Sequence, residues 1–463
     1  MRPYLRAANV TWSGLDLSDV KEMNFDDADF CRFRLHPGDV LINEGSGSAA
    51  EVGKPAIWRD EIADCCFQNT LLRVQPRACS PEYTYNYIRS CAKSGQFIAS
   101  TQGVNIFHIG REGLAQHPFP LPPWPEQQRI VAKIDSLSAK SKRARVHLDQ
   151  VPRLIEKYKQ AILGAAFRGM LSDSWRAHHE SDNISTNIRE LLQSERDKIR
   201  NNQGLRSKGK NRSLPGRASV LPFIPRTWAW CTFDDCSWDL TVGHVGSMKD
   251  RYVDEGVPFL RSLNIKPNHI KTEKLVYIDA GFHQELQKSK LSPGDVVVVR
   301  TGDPGVAAVI PKDLPVANCS DLIVVRLINL ISPHYAAHYM NSDFAKSIVR
   351  GVQVGVAQQH FNVGAMSEMP IPITTLREQS EIVKEIDAAF LWIDRLASEA
   401  ISARKLIDHL DHAVLSKAFR GELVPQDPND EPASVLLERI NAERTGVSPA
   451  RRGRGRPRLA ATR

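Results

Sequence analysis

Residues 204–211, GLRSKGKN, come one side chain short of a phosphate-binding loop. Such a loop wraps backbone N–H groups around phosphate, and its last Ser or Thr holds magnesium. Here Asn211 takes that place, and no strand-forming run leads into it, so nucleotide hydrolysis is not expected. The chain contains no Pro-Asp dipeptide, which removes the Pro-Asp…Asp/Glu-x-Lys nuclease arrangement. It also lacks the Asn-Pro-Pro-Tyr and Asp-Pro-Pro-Tyr runs of an amino-methyltransferase pocket. The paired histidines, His178 with His179 and His409 with His412, have no accompanying ligands at metal-site spacing. Eight cysteines show no CxxC pair and read as reduced, buried or incidental thiols. The sequence is therefore read as non-catalytic, with no metal and no cofactor of its own.

What the sequence does contain is itself, twice. Residues 118–171 align without gaps on 370–423, at an offset of 252, with 18 of 54 positions identical. Upstream, at a drifting offset, HPGDV at 36–40 matches SPGDV at 292–296, and PYLRAANV at 3–10 matches PFLRSLNI at 258–265. Rigid register in one module with drift in loops is the mark of a duplicated domain plus helix.

Each copy has two parts. The first carries strand-like runs such as VVVVR at 296–300 and LIVVRL at 322–327, punctuated by Gly, Pro and Asp. The second opens on a Pro-rich hinge, PFPLPPWPE at 118–126 or PIPITTLRE at 370–378. Pro125 suits a first helical turn, and Thr375 with Glu378 forms a capping-box pattern. From there apolar residues step by four and three, at 130, 134, 137, 141, 144, 148, 151, 155, 158, 162 and 165. The second copy repeats the series from 382 to 417, with Ser141 and Lys417 as exceptions. The pattern predicts helices over about 126–168 and 378–420, roughly 60 Å long, closed by Gly169 and Gly421. Pro152 should kink or break the first. One amphipathic helix of this length cannot bury its seam alone, so the two are expected to pack as an antiparallel coiled coil.

The expected fold class is α+β, with two tandem sheet-rich domains each followed by a long helix. The expected organisation is a first domain over 1–117 and its hinge and helix over 118–172. A basic polar linker covers 173–219, with a short helix around 188–200. A second domain covers 220–369, with its hinge and helix at 370–424, and a short helix and disordered Arg-rich tail cover 425–463. The net charge of +8 is concentrated: 196–217 carries +7 and 451–463 carries +6, leaving the other 428 residues at −5. Nucleic-acid affinity would have to come from local patches. No run approaches eighteen consecutive apolar residues and the N-terminus has no signal-peptide core, so a cytoplasmic protein without a membrane span is expected.

Two tandem domains, each ending in a PxPxxxxxEQ hinge, a long helix and an AFRG terminus, resemble the specificity subunit of type I restriction–modification systems. The likeness runs from residue 3 to about 425, and rests on Pro118/Pro120, Glu126–Gln127 and 166–169 with their partners 370/372, 378–379 and 418–421. It implies that each domain is a target recognition domain reading one half of a bipartite sequence in double-stranded DNA. It implies a helical spacer, and two modification (methyltransferase) subunits and two restriction subunits as partners. S-adenosylmethionine, ATP and magnesium would belong to those partners. The interface with them is expected at Glu126, Gln127, Phe167, Arg168, Glu378, Gln379, Phe419 and Arg420. A two-headed scaffold joining proteins without DNA is the other class compatible with the same residues.

If the two heads read different sequences, residues identical in both are poor discriminators. Arg6 and Arg261, like Asn9 and Asn264, therefore read as structural or phosphate-contacting. Base readout is expected where the copies diverge, at 43–48 against 300–305 and at 103–107 against 355–359. Ser46, Ser48, Gln102 and Asn105 are the candidates in the first head; Arg300, Thr301, Gln358 and Gln359 are those in the second. Arg suits guanine, and Asn or Gln suits adenine. His108 and His360 hold equivalent positions and read as a shared turn. In the tail, Arg454, Arg456 and Arg458 resemble an AT-hook, whose arginines lie in a narrow minor groove. Finally, the second copy runs almost forty residues from Leu221 before Pro258, whereas only Met1 and Arg2 precede Pro3. The first domain is thus expected to lack its opening segment, with the counterparts of Trp228 and Trp230.

Overall fold

The computed structural model describes all residues except 47, 78, 99–106, 180–187, 207–220, 315, 354–360 and 447–463. The chain divides into two compact units: Met1–Asp149 with Ala400–Arg463, and Gln150–Glu399. Both are α+β. The division does not follow the repeat, because each unit combines one sheet domain with the closing end of the helix encoded by the other copy.

Two long helices, Trp124–Ala166 and Leu376–Phe419, span about 65 Å each at 1.5 Å per residue. The first ends because Gly169 takes φ +75°, which lets its N–H reach Ala166 O at 2.9 Å and the Met170 N–H reach Ala165 O at 2.9 Å. Pro152 lies inside the first helix, which continues through it as one element. The helix is therefore not broken into two at Pro152.

Within each unit the two helices run antiparallel. In the first, Arg145 bonds Asp408 and Asp411 at 2.7 and 2.6 Å, Arg404 bonds Asp149, and Arg129 bonds Asp430. In the second, Lys159 bonds Asp394 at 2.6 Å. Such partly exposed pairs contribute only about 0–1 kcal/mol each, so they mark the register more than they hold it.

The seam departs from the expected series at matching places in both copies. Tyr158 is 62% exposed and Leu396 and Leu410 are 40% and 50% exposed. Residues 159 and 166 in the first helix, and 397, 411 and 418 in the second, turn inward there instead. A heptad series assumes 3.5 residues per turn, whereas a straight helix has 3.6 and drifts about 20° per heptad. At these turns the inward side chain is the one that follows the heptad position, while 162 and 414 keep the series.

The second unit is built on two larger sheets. One has five strands in the order Tyr252–Val253, Val276–Ile278, Val257–Leu260, Ala317–Cys319, Lys290–Leu291. The other has four antiparallel strands in the order Ser237–Val242, Leu322–Leu327, Val296–Val299, Ala307–Val309. Val296–Val299 is apolar without alternation because both its faces are covered. Val296 and Val298 face a core containing Phe167 and Tyr335, and Val297 and Val299 face one containing Leu260 and Ile265. The first unit repeats this plan with fewer strands. Lys21–Met23, Arg2–Leu5 and Cys66–Phe67 form one sheet; Pro55–Ile57, Val40–Asn43 and Leu71–Val74 form the other. The parallel pairing of Tyr4 and Leu5 with Cys66 and Phe67 matches that of Phe259 and Leu260 with Asn318 and Cys319.

The expected linker helix is present as Ile188–Asn202, but its charges are not simply solvated. Arg196 is 0% exposed and donates to Asp234 O at 3.0 Å, while Arg200 donates to Trp238 O at 2.7 Å. Two of the basic residues thus satisfy backbone carbonyls of the second domain.

Candidate nucleic-acid interface

The identical residues of the two heads build one turn. The Asn9 Oδ1 accepts the Arg6 N–H at 3.0 Å, and its amide donates to Asp16 O and Asp19 O. Asn264 accepts the Arg261 N–H at 3.0 Å and donates to Lys271 O at 3.1 Å. Both asparagines are almost fully buried, so their part is structural. The arginines differ. Arg6 bonds Asp19, whose carboxyl Lys21 and Arg6 together hold below its usual range. Arg261 stands 5.8 Å over the Tyr252 ring and has no ion pair among the described residues. No carboxylate among the described residues neutralises its guanidinium.

Where the copies diverge, the loops carry different chemistry. In the first unit Gly45–Ser46 pairs antiparallel with Phe107–His108, which brings two of the candidate segments together. Ser46 Oγ accepts the Ser48 N–H at 3.1 Å. His108 is therefore in a strand pair rather than in a turn. In the second unit Arg300 lies 3.2 Å from Asp321, which also accepts a hydrogen bond from Thr301 Oγ1. Asp321, at φ +51°, thus fixes two candidate readers at once. No spacing in the sequence joins residue 321 to 300, so that anchor was not foreseen. Gln102, Asn105, Gln358, Gln359, His360, Arg454, Arg456 and Arg458 lie outside the described residues.

The hinge motifs need a correction. Gln127 and Gln379 are 0% exposed, and Glu126, Glu378 and Phe167 are buried too, so they cannot face a partner subunit. They bind the hinge to its own domain. Gln127 Oε1 accepts the Ser80 N–H at 3.0 Å and its amide donates to Pro122 O; Gln379 does the same with Ser332 and Thr374. Tyr83 Oη donates to Pro120 O at 3.0 Å and Tyr335 Oη to Pro372 O at 2.8 Å. These tyrosines keep the offset of 252, a signal present in the sequence but not used. The AFRG phenylalanines pack across copies: Phe419 lies against Tyr83 and Tyr87, and Phe167 against Tyr335 and Tyr339. Of the expected interface residues, Arg168 and Arg420 are the exposed ones.

Six of the eight cysteines are buried. Burial pushes the Cys65 and Cys231 thiols up to about 12. Cys91 Sγ lies 3.3 Å from His117 Nε2, but burial raises the thiol and lowers the imidazole, so the pair stays neutral. Among the described residues no group of three His, Cys, Asp or Glu is placed to hold a metal, and no helix is long and apolar enough to cross a membrane.

Two copies of one frame, carrying different polar loops and joined by long helices, define a bivalent recognition protein. The chain belongs to the family described as Type I restriction modification DNA specificity domain, whose model matches residues 4–148 and 247–397. It is 24% identical to the type I restriction enzyme EcoKI specificity subunit of Escherichia coli (strain K12), over 96% of this chain and 88% of that one. The StySPI specificity subunit of Salmonella potsdam is similar to the same extent: 24% identity, 96% and 88% coverage. In fold the chain is similar to the HsdS subunit from Thermoanaerobacter tengcongensis, with a TM-score of 0.55, 18% identity and 91% of each chain covered.

Proposed function

We propose that this chain is the non-catalytic DNA sequence-specificity subunit of a type I restriction–modification complex, reading a bipartite target through its two domains. The observation that carries the reading is the duplicated frame with unlike loops. Arg6/Asn9 and Arg261/Asn264 repeat the same turn, while the loop 43–48, with Ser46 and Ser48, stands in one copy where 300–305, with Arg300 and Thr301, stands in the other. Common residues position the duplex by backbone contacts, and unlike residues read base edges. Arg261 contacts phosphate. Arg300, oriented by Asp321, reads guanine in the half-site of the second domain.

The partners are double-stranded DNA, two methyltransferase subunits carrying S-adenosylmethionine, and two restriction subunits using ATP and magnesium, all in the cytoplasm. Arg168 and Arg420, exposed just beyond the helix ends, are the AFRG residues free to meet a partner. The Arg454–Arg458 tail adds sequence-independent contact. The test is to map N6-methyladenine across the source genome with and without this gene. A gene-dependent motif of two parts and a fixed gap supports the reading. Unchanged methylation, with an active methyltransferase subunit present, overturns it.

A further inference from the structure

Three segments of the second unit leave one end of a sheet side by side. The strands Val257–Leu260 and Ala317–Cys319 run parallel, and just past their last pair the Ser320 N–H donates to Leu260 O at 3.0 Å. On the other side of Ala317–Cys319, beyond its pairing with Lys290–Leu291, His244 joins as a parallel neighbour of Ser320. Its N–H donates to Cys319 O at 2.8 Å, and its carbonyl accepts the Asp321 N–H at 3.2 Å. The chain therefore emerges at this end through Arg261, Asp321 and Val245. Neighbouring strands lie about 4.8 Å apart, so the three exits spread over about 10 Å, the rise of about three base-pair steps.

Arg261 brings its guanidinium to this end, and Asp321 holds Arg300 and Thr301 there. The third exit brings the loop 243–249, GHVGSMK, which is pinned on both sides of its tip. The Gly243 N–H donates to Leu322 O at 2.7 Å, and a Cβ added to Gly243 would lie 2.8 Å from Cys319 O. Met248 packs on the cluster of Phe259, Ile278 and Phe282, and the His244 ring stands edge-on to Phe282 at 5.6 Å. Gly246 gives that ring room, since a Cβ there would lie 2.8 Å from His244 Nε2. Between these anchors Val245 is 64% exposed. One exposed valine is ordinary on any surface. This one is held out by a pinned loop, in line with Arg300 and Arg261, where folding gains little from its methyl groups.

We infer that the loop 243–249 is a third reading segment of the second domain, and that Val245 packs on the 5-methyl group of a thymine beside the pair read by Arg300. The inference rests on the proposed reading of DNA by this domain. The thymine methyl is the apolar mark in the major-groove pattern, and an apolar side chain recognises it by contact. A tip fixed before binding has little freedom left to lose, so the contact is realised without an ordering cost. Asp321 couples the two readers: its carboxylate orients Arg300, and its N–H holds the backbone of His244 next to Val245.

The methylation motif of the assembled complex is mapped first. Each thymine of the motif is then replaced in turn by deoxyuridine, which lacks only the methyl group, and binding of the complex to each duplex is measured. Affinity is expected to fall about fivefold at one position, the worth of one buried methyl group. Val245→Ala should remove that sensitivity and relax the same position of the motif, whereas Val245→Ile should retain both. Thermal unfolding of the two variants should match that of the unaltered chain, because the side chain is exposed. A gene-dependent motif without thymine overturns the inference and leaves the reading of DNA intact. So does a motif in which Val245→Ala changes no response to deoxyuridine. A complex with an active methyltransferase subunit but no gene-dependent motif overturns the proposed function, and this inference with it.

Discussion

The ring of Phe167 stands edge-on to that of Tyr335, with 5.1 Å between centroids, although the two belong to different copies of the repeat. Phe419 meets Tyr83 in the same way at 5.4 Å. Each copy therefore closes the core of the other. Removing a buried Phe costs about 3–5 kcal/mol through lost transfer energy and the cavity left behind. Phe167→Ala should destabilise the second unit, and Phe419→Ala the first. Hydrogen exchange of each unit would show this. Loosening of the domain encoded in the same copy would be the contrary result.

The two AFRG glycines predict an asymmetry. Both have φ +75°, where an L side chain costs about 1–2 kcal/mol. At Gly169 an added Cβ would also lie 2.4 Å from Pro225 Cγ, whereas at Gly421 the nearest atom is 3.7 Å away. Thermal unfolding should show Gly169→Ala to be the more damaging. Equal losses would mean that the Pro225 segment moves aside freely.

Stability should also depend on the protonation of His283. Asn318 is oriented by accepting the Cys319 N–H at 2.9 Å and donating to Leu286 O at 3.2 Å. Its amide therefore donates to His283 Nδ1, at 3.3 Å, which must be unprotonated. Burial, with Lys290 nearby, holds the imidazole below its usual range. A lowered folded value means that the unfolded chain binds the proton first. The stabilisation is whole above about pH 6.5 and is lost as pH falls through the lower folded value. Unfolding measured between pH 7.5 and 5.5 should fall more steeply for this chain than for His283→Gln. Equal slopes would remove His283 from the account.

Arg300 and Asn264 should fail differently. Arg300→Ala in the assembled complex should relax one position of one half-site, since a bidentate Arg–guanine contact discriminates by about 1–3 kcal/mol. Asn264→Ala leaves the turn at Arg261 unsupported and should weaken binding to all sequences alike. Methylation mapping separates the two. A motif unchanged by Arg300→Ala would place the reader elsewhere in the loop.

The repeat, the α+β class, the two long helices and the glycine stops were legible in the sequence because each rests on local rules. Duplication is visible as identity at fixed offset. A helix announces itself by periodicity, and Gly169 and Gly421 by the φ that only glycine takes cheaply. The Tyr83/Tyr335 and Tyr87/Tyr339 pairs were equally legible at the same offset. What the tertiary structure alone decided is long-range. It sends Phe167 and Phe419 into the opposite cores, sets Asp321 on Arg300, and buries Gln127 and Gln379 where a partner surface was expected. It also turns 159 inward rather than 158, and 411 rather than 410, because a helix of 3.6 residues per turn does not hold a strict heptad. A sequence fixes which residues prefer a helix or a strand. Which buried carbonyl, carboxylate or ring each side chain meets depends on how distant segments satisfy one another, and that is settled only when the whole core closes.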